Sequence, residues 1–320
     1  MKRNALLAIS AIAAHLAATP FALAQTGVLA GKTARIVVPG PPGGPASSVA
    51  MFLAIKASQK LGYTVIADHK PGAAGNIAIE NVAKSKPDGT SLMFAAPFMV
   101  TNPHFMKQSV DPFSFDPVIQ LVYGPYMMMV SAKSDIKSVP EAIARIKARP
   151  GETTCVIGVA LSTTSCYLLQ AGSAAMNMIG YLGNAQGGAA VERGEVDILF
   201  DFMNTAGAAV RAGRMRALAV TSAESVPGEF NALPPISQFV PGFELIGWQG
   251  IMVPRGTPAD IVATLNKAFN EILVDEETQK FLAASNLIIS GGAPEILGNR
   301  VRRDFEFFGR VAKEAKIQPE

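Results

Sequence analysis

The chain has 320 residues, 49% of them hydrophobic and 17% charged, with a formal net charge of +3. Two of those charges are Lys2 and Arg3, and no basic run interleaves with aromatic residues, so nucleic acid is excluded as a partner. Three histidines and two cysteines leave a small inventory for metal or thiol chemistry.

The N-terminus reads as a cleavable secretory signal over residues 1–24. Met1-Lys2-Arg3-Asn4 precedes an alanine-rich apolar stretch from Ala5 to about Ala18, and Ala22-Leu23-Ala24 stands before Gln25. The stretch is shorter than the roughly 20 apolar residues of a membrane span. The expected mature protein is periplasmic, and it carries no lipid anchor because neither Cys155 nor Cys166 follows the cleavage site. Its remaining 296 or so residues exceed one typical core and suit two lobes.

From Arg35 onwards, β-branched runs alternate with helical periods, the pattern of parallel βαβ units. A strand at 35–38 leads through the loop Pro39 to Pro45 into a helix from about Ser47, which Gly62 stops. A strand at 63–67, the turn Lys70-Pro71-Gly72, a helix at 77–84, Pro87-Asp88-Gly89 and a strand at 90–96 complete one sheet. A second series begins after Tyr123-Gly124-Pro125, with a strand at 126–130 and the capping box Ser138-Val139-Pro140-Glu141. Strands at 154–159, 197–200 and 216–221 alternate there with helices at 166–176, 188–193 and 205–211. A Pro-containing connector from about Glu224, a strand at 250–253 and helices from Pro258 and Pro294 return to the first lobe. Lobe 1 is thus expected over 25–124 and 224–320, and lobe 2 over 125–223. The two chain crossings between them form a hinge, and the cleft lies at the carboxyl ends of the sheets.

Cys155 and Cys166 can pair in an oxidising compartment. With Cys166 at the start of a helix, however, they fall at opposite ends of a strand, and two buried thiols are the expectation.

Enzyme signatures are missing from the sequence: there is no GxSxG elbow, GxxxxGK[ST] loop or GxGxxG fingerprint, and His69 and His104 have no metal spacing. They are expected at the surface or behind the site. The loop from Pro39 to Ser48 offers a different chemistry. It ends a strand and opens a helix, so backbone N–H groups and the positive helix end converge on an anion, and glycines allow close approach. A tight turn with Ser47 as N-cap is the alternative. Gly158 to Ser165 repeats the arrangement in lobe 2, with the hydroxyls of Ser162, Thr163, Thr164 and Ser165 beside helix N-terminal amides. Two such cradles suit a ligand with two acidic groups, or with one acid and a polar far end.

In order along the chain, Ile36-Val37-Val38-Pro39-Gly40-Pro41-Pro42-Gly43-Gly44, Lys70-Pro71-Gly72-Ala73-Ala74-Gly75-Asn76-Ile77 and Pro87-Asp88-Gly89 stand beside Gly194-Glu195-Val196-Asp197, Phe200-Asp201 and Arg216 to Thr221. Trp248-Gln249-Gly250, Pro254-Arg255-Gly256-Thr257-Pro258 and Ile317-Gln318-Pro319-Glu320 complete the set. The chain resembles the Bug, or TctC-like, receptors of tripartite tricarboxylate transporters over nearly all of its mature length. The resemblance implies an α/β, two-lobed periplasmic-binding-protein fold of type II (Venus-flytrap), monomeric, with no cofactor. It implies a small organic carboxylate as ligand, held largely by backbone amides and ordered water, and a permease of two integral-membrane subunits as partner. The residues expected at the ligand are Gly40, Pro41, Gly43, Gly44, Ala46, Ser47 and Ala96 in lobe 1. In lobe 2 they are Ala160, Ser162, Thr163, Thr164, Ser165, Tyr181, Asn184 and Asp201.

Four departures bear on the ligand: Gly40 where the family commonly has Phe, Ser47 for Asp, Leu182 for Lys and Tyr167 for His. They remove bulk and charge, which favours an aromatic acid such as terephthalate or a benzoate over an amino acid or citrate. A sensor presenting the same ligand to a membrane kinase and a secreted hydrolase are the other two functions this sequence admits.

Overall fold

The computed structural model describes residues 31–43, 45–106, 110–158, 160–181, 183–226 and 228–314. The signal over 1–24, Gly44, Val159, Leu182 and the terminal Ile317 to Glu320 lie outside the described residues, as does the side chain of Ala160.

Lobe 1 begins with β1 (Ala34–Val38), α1 (Pro45–Leu61), β2 (Val65–His69), α2 (Asn76–Ala83), β3 (Ser91–Ala95) and α3 (Phe98–Phe105). β2, β1 and β3 pair in parallel in that order. The next strand, β4 (Phe115–Ser131), is 17 residues long and belongs to both lobes. Lobe 2 continues with α4 (Val139–Ala148), β5 (Thr154–Ile157), α5 (Ala160–Ala171), β6 (Asn177–Gly180), α6 (Asn184–Arg193), β7 (Leu199–Phe202), α7 (Met203–Arg211) and β8 (Met215–Val220). The chain returns through β9 (Ile246–Pro254), α8 (Ala259–Leu273), α9 (Glu276–Ala284), β10 (Ile288–Ile289) and α10 (Pro294–Glu314).

The first part of β4, Phe115 to Pro125, pairs antiparallel with β9, which in turn joins β3 and extends the lobe 1 sheet. From Tyr126 onwards the same strand pairs with β7 on one side and β8 on the other. β5 and β6 run parallel beside β7, linked by Val156 N–H to Ile198 O at 2.9 Å. One uninterrupted strand thus carries the chain from one lobe to the other. Between β8 and β9 the chain comes back, and Thr221 fastens the two crossings together. Its Oγ1 accepts from Tyr126 N at 2.8 Å and donates to Leu245 O at 2.6 Å. Its backbone N–H reaches Tyr126 O and its carbonyl accepts from Leu245 N, both at 2.9 Å.

Helix ends follow local chemistry. Ser138 caps α4 by accepting from Glu141 N, while the Glu141 carboxylate reaches back one residue further than a standard capping box, to Lys137 N at 2.7 Å. α1 and α8 cover one face of the lobe 1 sheet, burying Val49, Leu53, Leu265 and Phe269 against Ile36, Val38 and Phe94. α10 supports the other side, where Trp248 Nε1 donates to Asp304 Oδ2 at 2.8 Å.

The two-thiol expectation is wrong: Cys155 and Cys166 form a disulfide, with Cα atoms 6.1 Å apart. The reason is the start of α5, which lies at Ala160, six residues before the expected position. A helix rises about 1.5 Å per residue, so six residues carry the chain only about 9 Å back along β5, and Cys166 arrives beside Cys155. Closing a segment of this length stabilises a fold by roughly 3 kcal/mol.

Burial of Asp304 pushes its carboxyl up to about 6, against the opposing hydrogen bond from Trp248. An unfolded Asp titrates near 4, so between about pH 4 and 6 the native state holds the extra proton. Stability supplied by the protonated carboxyl is therefore full below pH 4 and is lost as pH rises through 6, by about 3 kcal/mol. Asp304→Asn keeps an acceptor for Trp248 without the ionisation. Its stability relative to wild type is expected to shift by about 3 kcal/mol in its favour between pH 4 and pH 7, read by urea denaturation with the emission of Trp248, the sole tryptophan. A pH-independent difference between the two proteins would contradict this role for Asp304.

Candidate ligand-binding site

The loops after β1, β2 and β3 share one edge of the lobe 1 sheet. A Cβ built on Gly75 would stand 3.2 Å from Pro39 Cβ and 3.0 Å from Phe98 Cδ2, so the three loops meet at that point. The middle one is held in an unusual conformation: Gly72, Ala73, Ala74 and Gly75 all have positive φ, with the two alanines at 47° and 49°. An L-residue there costs about 1–2 kcal/mol, and Asn102 offsets part of it by donating from Nδ2 to Ala74 O at 3.0 Å and to Asn76 Oδ1 at 2.9 Å.

α1 opens at Pro45, which places Ser47 in its first turn rather than at the N-cap. Ser47 is buried, its Oγ accepts from Gly43 N at 3.3 Å, and it lies 2.8 Å from His69 Nε2. Pro41 and Gly43 are exposed, Gly40 and Ala46 are half-buried, and no described atom stands within 4 Å of where a Gly40 Cβ would be. Half-buried Ala96 gives its carbonyl to Met99 N and so opens α3.

Lobe 2 repeats this arrangement. The strands β5, β6 and β7 end at one edge, in Gly158, Tyr181 and Asp201-Phe202. Thr163 Oγ1 in the first turns of α5 accepts from Gly158 N at 3.0 Å, the counterpart of the Ser47 to Gly43 bond. Gly158 is pressed so closely on the β6 loop that a Cβ there would stand 1.9 Å from Tyr181 O.

The hydroxyl run itself is not turned outward. Ser162, Thr164 and Ser165 are fully buried. Ser162 Oγ donates to Val156 O at 3.2 Å, and Ser165 Oγ donates to Leu161 O at 2.9 Å. The Ser165 bond runs to the carbonyl four residues back in α5, the usual way a hydroxyl is satisfied inside a helix, whereas Ser162 bonds across to β5. Of the four, Thr163 alone is partly exposed, so the expected outward run of hydroxyls is reduced to one.

Asp201 organises the third loop. Its carboxylate accepts from Asn184 Nδ2 at 2.6 Å, Phe202 N at 2.8 Å and Thr205 Oγ1 at 2.9 Å, and burial raises its pKa against those bonds. Burial and the nearby Asp201 raise the phenol of Tyr126 well above its ordinary range. Among the described residues the Asn184 Oδ1 acceptor is buried without a partner. Phe202 extends this cluster to the crossings: a Cβ on Gly124 or Gly247, paired across β4 and β9, would meet its ring at 3.2 or 2.7 Å.

Phe98 carries no sequence signal for the place it takes beside Gly75. His69 was expected at the surface or behind the site, and the register Val38↔His69 brings it behind Ser47, 2.8 Å from its hydroxyl. The other described histidine, His104, lies between α3 and α10, its Nε2 at 2.9 Å from Phe305 O, with burial lowering its pKa. Among the described residues no group of three His, Cys, Asp or Glu side chains is placed to hold a metal ion.

This architecture is shared with solved structures. The structure of Rpa4515 from R. palustris with adipate superposes with a TM-score of 0.80 at 27% identity, over 90% of this chain and 98% of that one. MatC from Rhodopseudomonas palustris with bound malate superposes with a TM-score of 0.76 at 25% identity, over 88% and 98%. In sequence, a UPF0065 protein of Bordetella bronchiseptica is 31% identical over 322 aligned positions, covering 94% of this chain and 90% of that protein. Residues 49–290 match the family described as tripartite tricarboxylate transporter family receptor, and the chain belongs to that family.

Proposed function

We propose that this protein is a periplasmic receptor that captures a small organic carboxylate between its lobes and delivers it to the membrane subunits of a tripartite tricarboxylate transporter. The observation that carries this reading is the matched pair of βα loops, Pro39 to Ser47 and Gly158 to Thr163. Each stands at the carboxyl edge of its sheet and opens a helix, and in each a first-turn hydroxyl fixes one loop N–H. The remaining amides and the positive helix ends favour an anion. Bending at the β4 and β8–β9 crossings closes the lobes on it, as hinged two-lobe proteins do. The adipate and malate of the two superposed structures are dicarboxylates, in keeping with one cradle per lobe.

The open space at Gly40 and the Phe98 ring beside Pro39 and Gly75 extend the proposal to planar aromatic acids of the terephthalate or benzoate type. A ring there gains about 25 cal/mol per Å² of apolar surface buried. The ligand leaves unchanged, since binding and release require no covalent step. A thermal-shift panel of aromatic acids, aliphatic di- and tricarboxylates and acidic amino acids tests both levels. The largest stabilisation is expected from an aromatic acid. A response to citrate or glutamate alone would overturn the aromatic assignment, and no response to any acid would overturn the carboxylate reading itself.

A further inference from the structure

The lobe 1 loop cluster holds a titratable side chain that loop geometry and backbone amides leave without a task. β2 alternates its side chains between the two faces of the sheet, Val65, Ala67 and His69 towards α1, Ile66 and Asp68 away from it. His69 is the last residue of the strand, level with Val38, where the chain turns into the anion loop.

Its partner is arranged to serve two protonation states. Ser47 Oγ accepts from Gly43 N at 3.3 Å, which leaves the hydroxyl proton to be given either to His69 Nε2 at 2.8 Å or to Met51 Sδ at 3.7 Å. In the neutral tautomer that carries its proton on Nδ1, the hydroxyl donates to Nε2. When the ring gains a proton, Nε2–H donates to Ser47 Oγ and the hydroxyl proton turns to Met51. Neither state strands a buried donor or acceptor, so protonation carries no hydrogen-bond penalty.

The charges nearby are already committed elsewhere. Asp68, on the opposite face, is paired with Arg35 of β1 at 3.5 Å and with Lys70 at 3.6 Å. On α1 the cations Lys56 and Lys60 are held by Asp275, Glu277 and Glu271. Ser47 and Met51, which face His69 from that helix, do not titrate. An added proton on His69 is therefore free to act on an anion at the Pro39 to Gly43 loop, and imidazole is the side chain whose ordinary titration lies nearest neutrality.

Building on the carboxylate reading above, we propose that His69 is a specificity-determining residue of lobe 1: a carboxylate seated at the Pro39 to Gly43 loop draws a proton onto His69, so that binding is coupled to proton uptake. The coupling selects an anionic group at that end of the ligand against an ammonium, because the site answers with positive charge.

The test begins with terephthalate, benzoate, adipate and L-malate in a thermal-shift assay on the full mature protein. The acid that stabilises most is then titrated calorimetrically at pH 7.5 in HEPES and in Tris, whose ionisation enthalpies differ. Uptake of up to about one proton per bound acid is expected. His69→Gln, which keeps a hydrogen-bonding partner for Ser47, is expected to abolish the uptake and to weaken binding about tenfold at pH 6 with little change at pH 8.5. In wild-type protein, NMR of the imidazoles gives the same answer without a substitution: the midpoint of His69 rises on adding the acid, while His104 stays put. Binding with no proton uptake, or with uptake undiminished in His69→Gln and a His69 midpoint unmoved by ligand, overturns the proposal and leaves the carboxylate reading standing. If no acid stabilises the wild type, both fall together.

Discussion

Gly158→Ala is expected to destabilise the protein by at least about 4 kcal/mol and to abolish ligand binding, the range reached only when a substitution breaks the backbone arrangement itself. Two independent features dictate this. The φ of Gly158 is 144°, a region that L-residues avoid, and a Cβ there would lie 1.9 Å from the Tyr181 carbonyl oxygen. The obstructing atom is backbone, so no rotamer change relieves the clash, and the β5 and β6 loops must part. They form the lobe 2 half of the proposed site, so the fold and the ligand response fail together. Gly180→Ala, where no described atom lies within 4 Å of the added carbon, is the control and is expected to cost no more than about 1 kcal/mol. Urea denaturation of both variants measures the difference; a Gly158→Ala protein as stable as the control would refute the packing described.

Thr221→Val is expected to cost about 2–4 kcal/mol. The replacement keeps the shape and removes the hydroxyl, leaving Tyr126 N–H and the Leu245 carbonyl without their partner in a buried place. Each buried group so stranded costs about 1–3 kcal/mol. Thr221→Ser retains both bonds and is expected to lose only about 1 kcal/mol, for the methyl group. The two variants also separate stability from closure. The hydroxyl ties both crossings, so its loss is expected to alter the ligand-induced compaction seen by small-angle scattering, whereas Ser preserves it. Equal stability of the Val and Ser variants would show that the clasp bears no load.

The alternation of strands and helices was legible because buried strands such as Ile36 to Val38 and amphipathic helices such as Ala259 to Leu273 declare their periods in sequence. What stayed hidden has identifiable causes. The first half of β4 contains Pro117 and ends at Gly124-Pro125, which read as breakers. The strand instead tolerates them, with register shifts around Pro117 to Val122. α3 carries Pro103 in its interior, another apparent stop. The start of α5 was obscured by its Ser and Thr run, a loop composition whose hydroxyls here bond inward, Ser162 to the Val156 carbonyl of β5 and Ser165 to Leu161 one turn back in the helix. That one misplaced boundary also produced the wrong cysteine expectation. The glycine-rich loops were visible as candidates because their composition carries the chemistry. The Ser47 to His69 pair was not, since 22 residues separate the partners and only the β1–β2 register brings them together.

If this two-lobed receptor binds one small organic acid without altering it, native mass spectrometry of the protein purified from its own host shows it most directly. The expected result is a mass excess equal to a single small molecule per chain, released on denaturation as an unchanged carboxylic acid. A bound compound with no acidic group, or an acid recovered chemically altered after incubation with the protein, would contradict it.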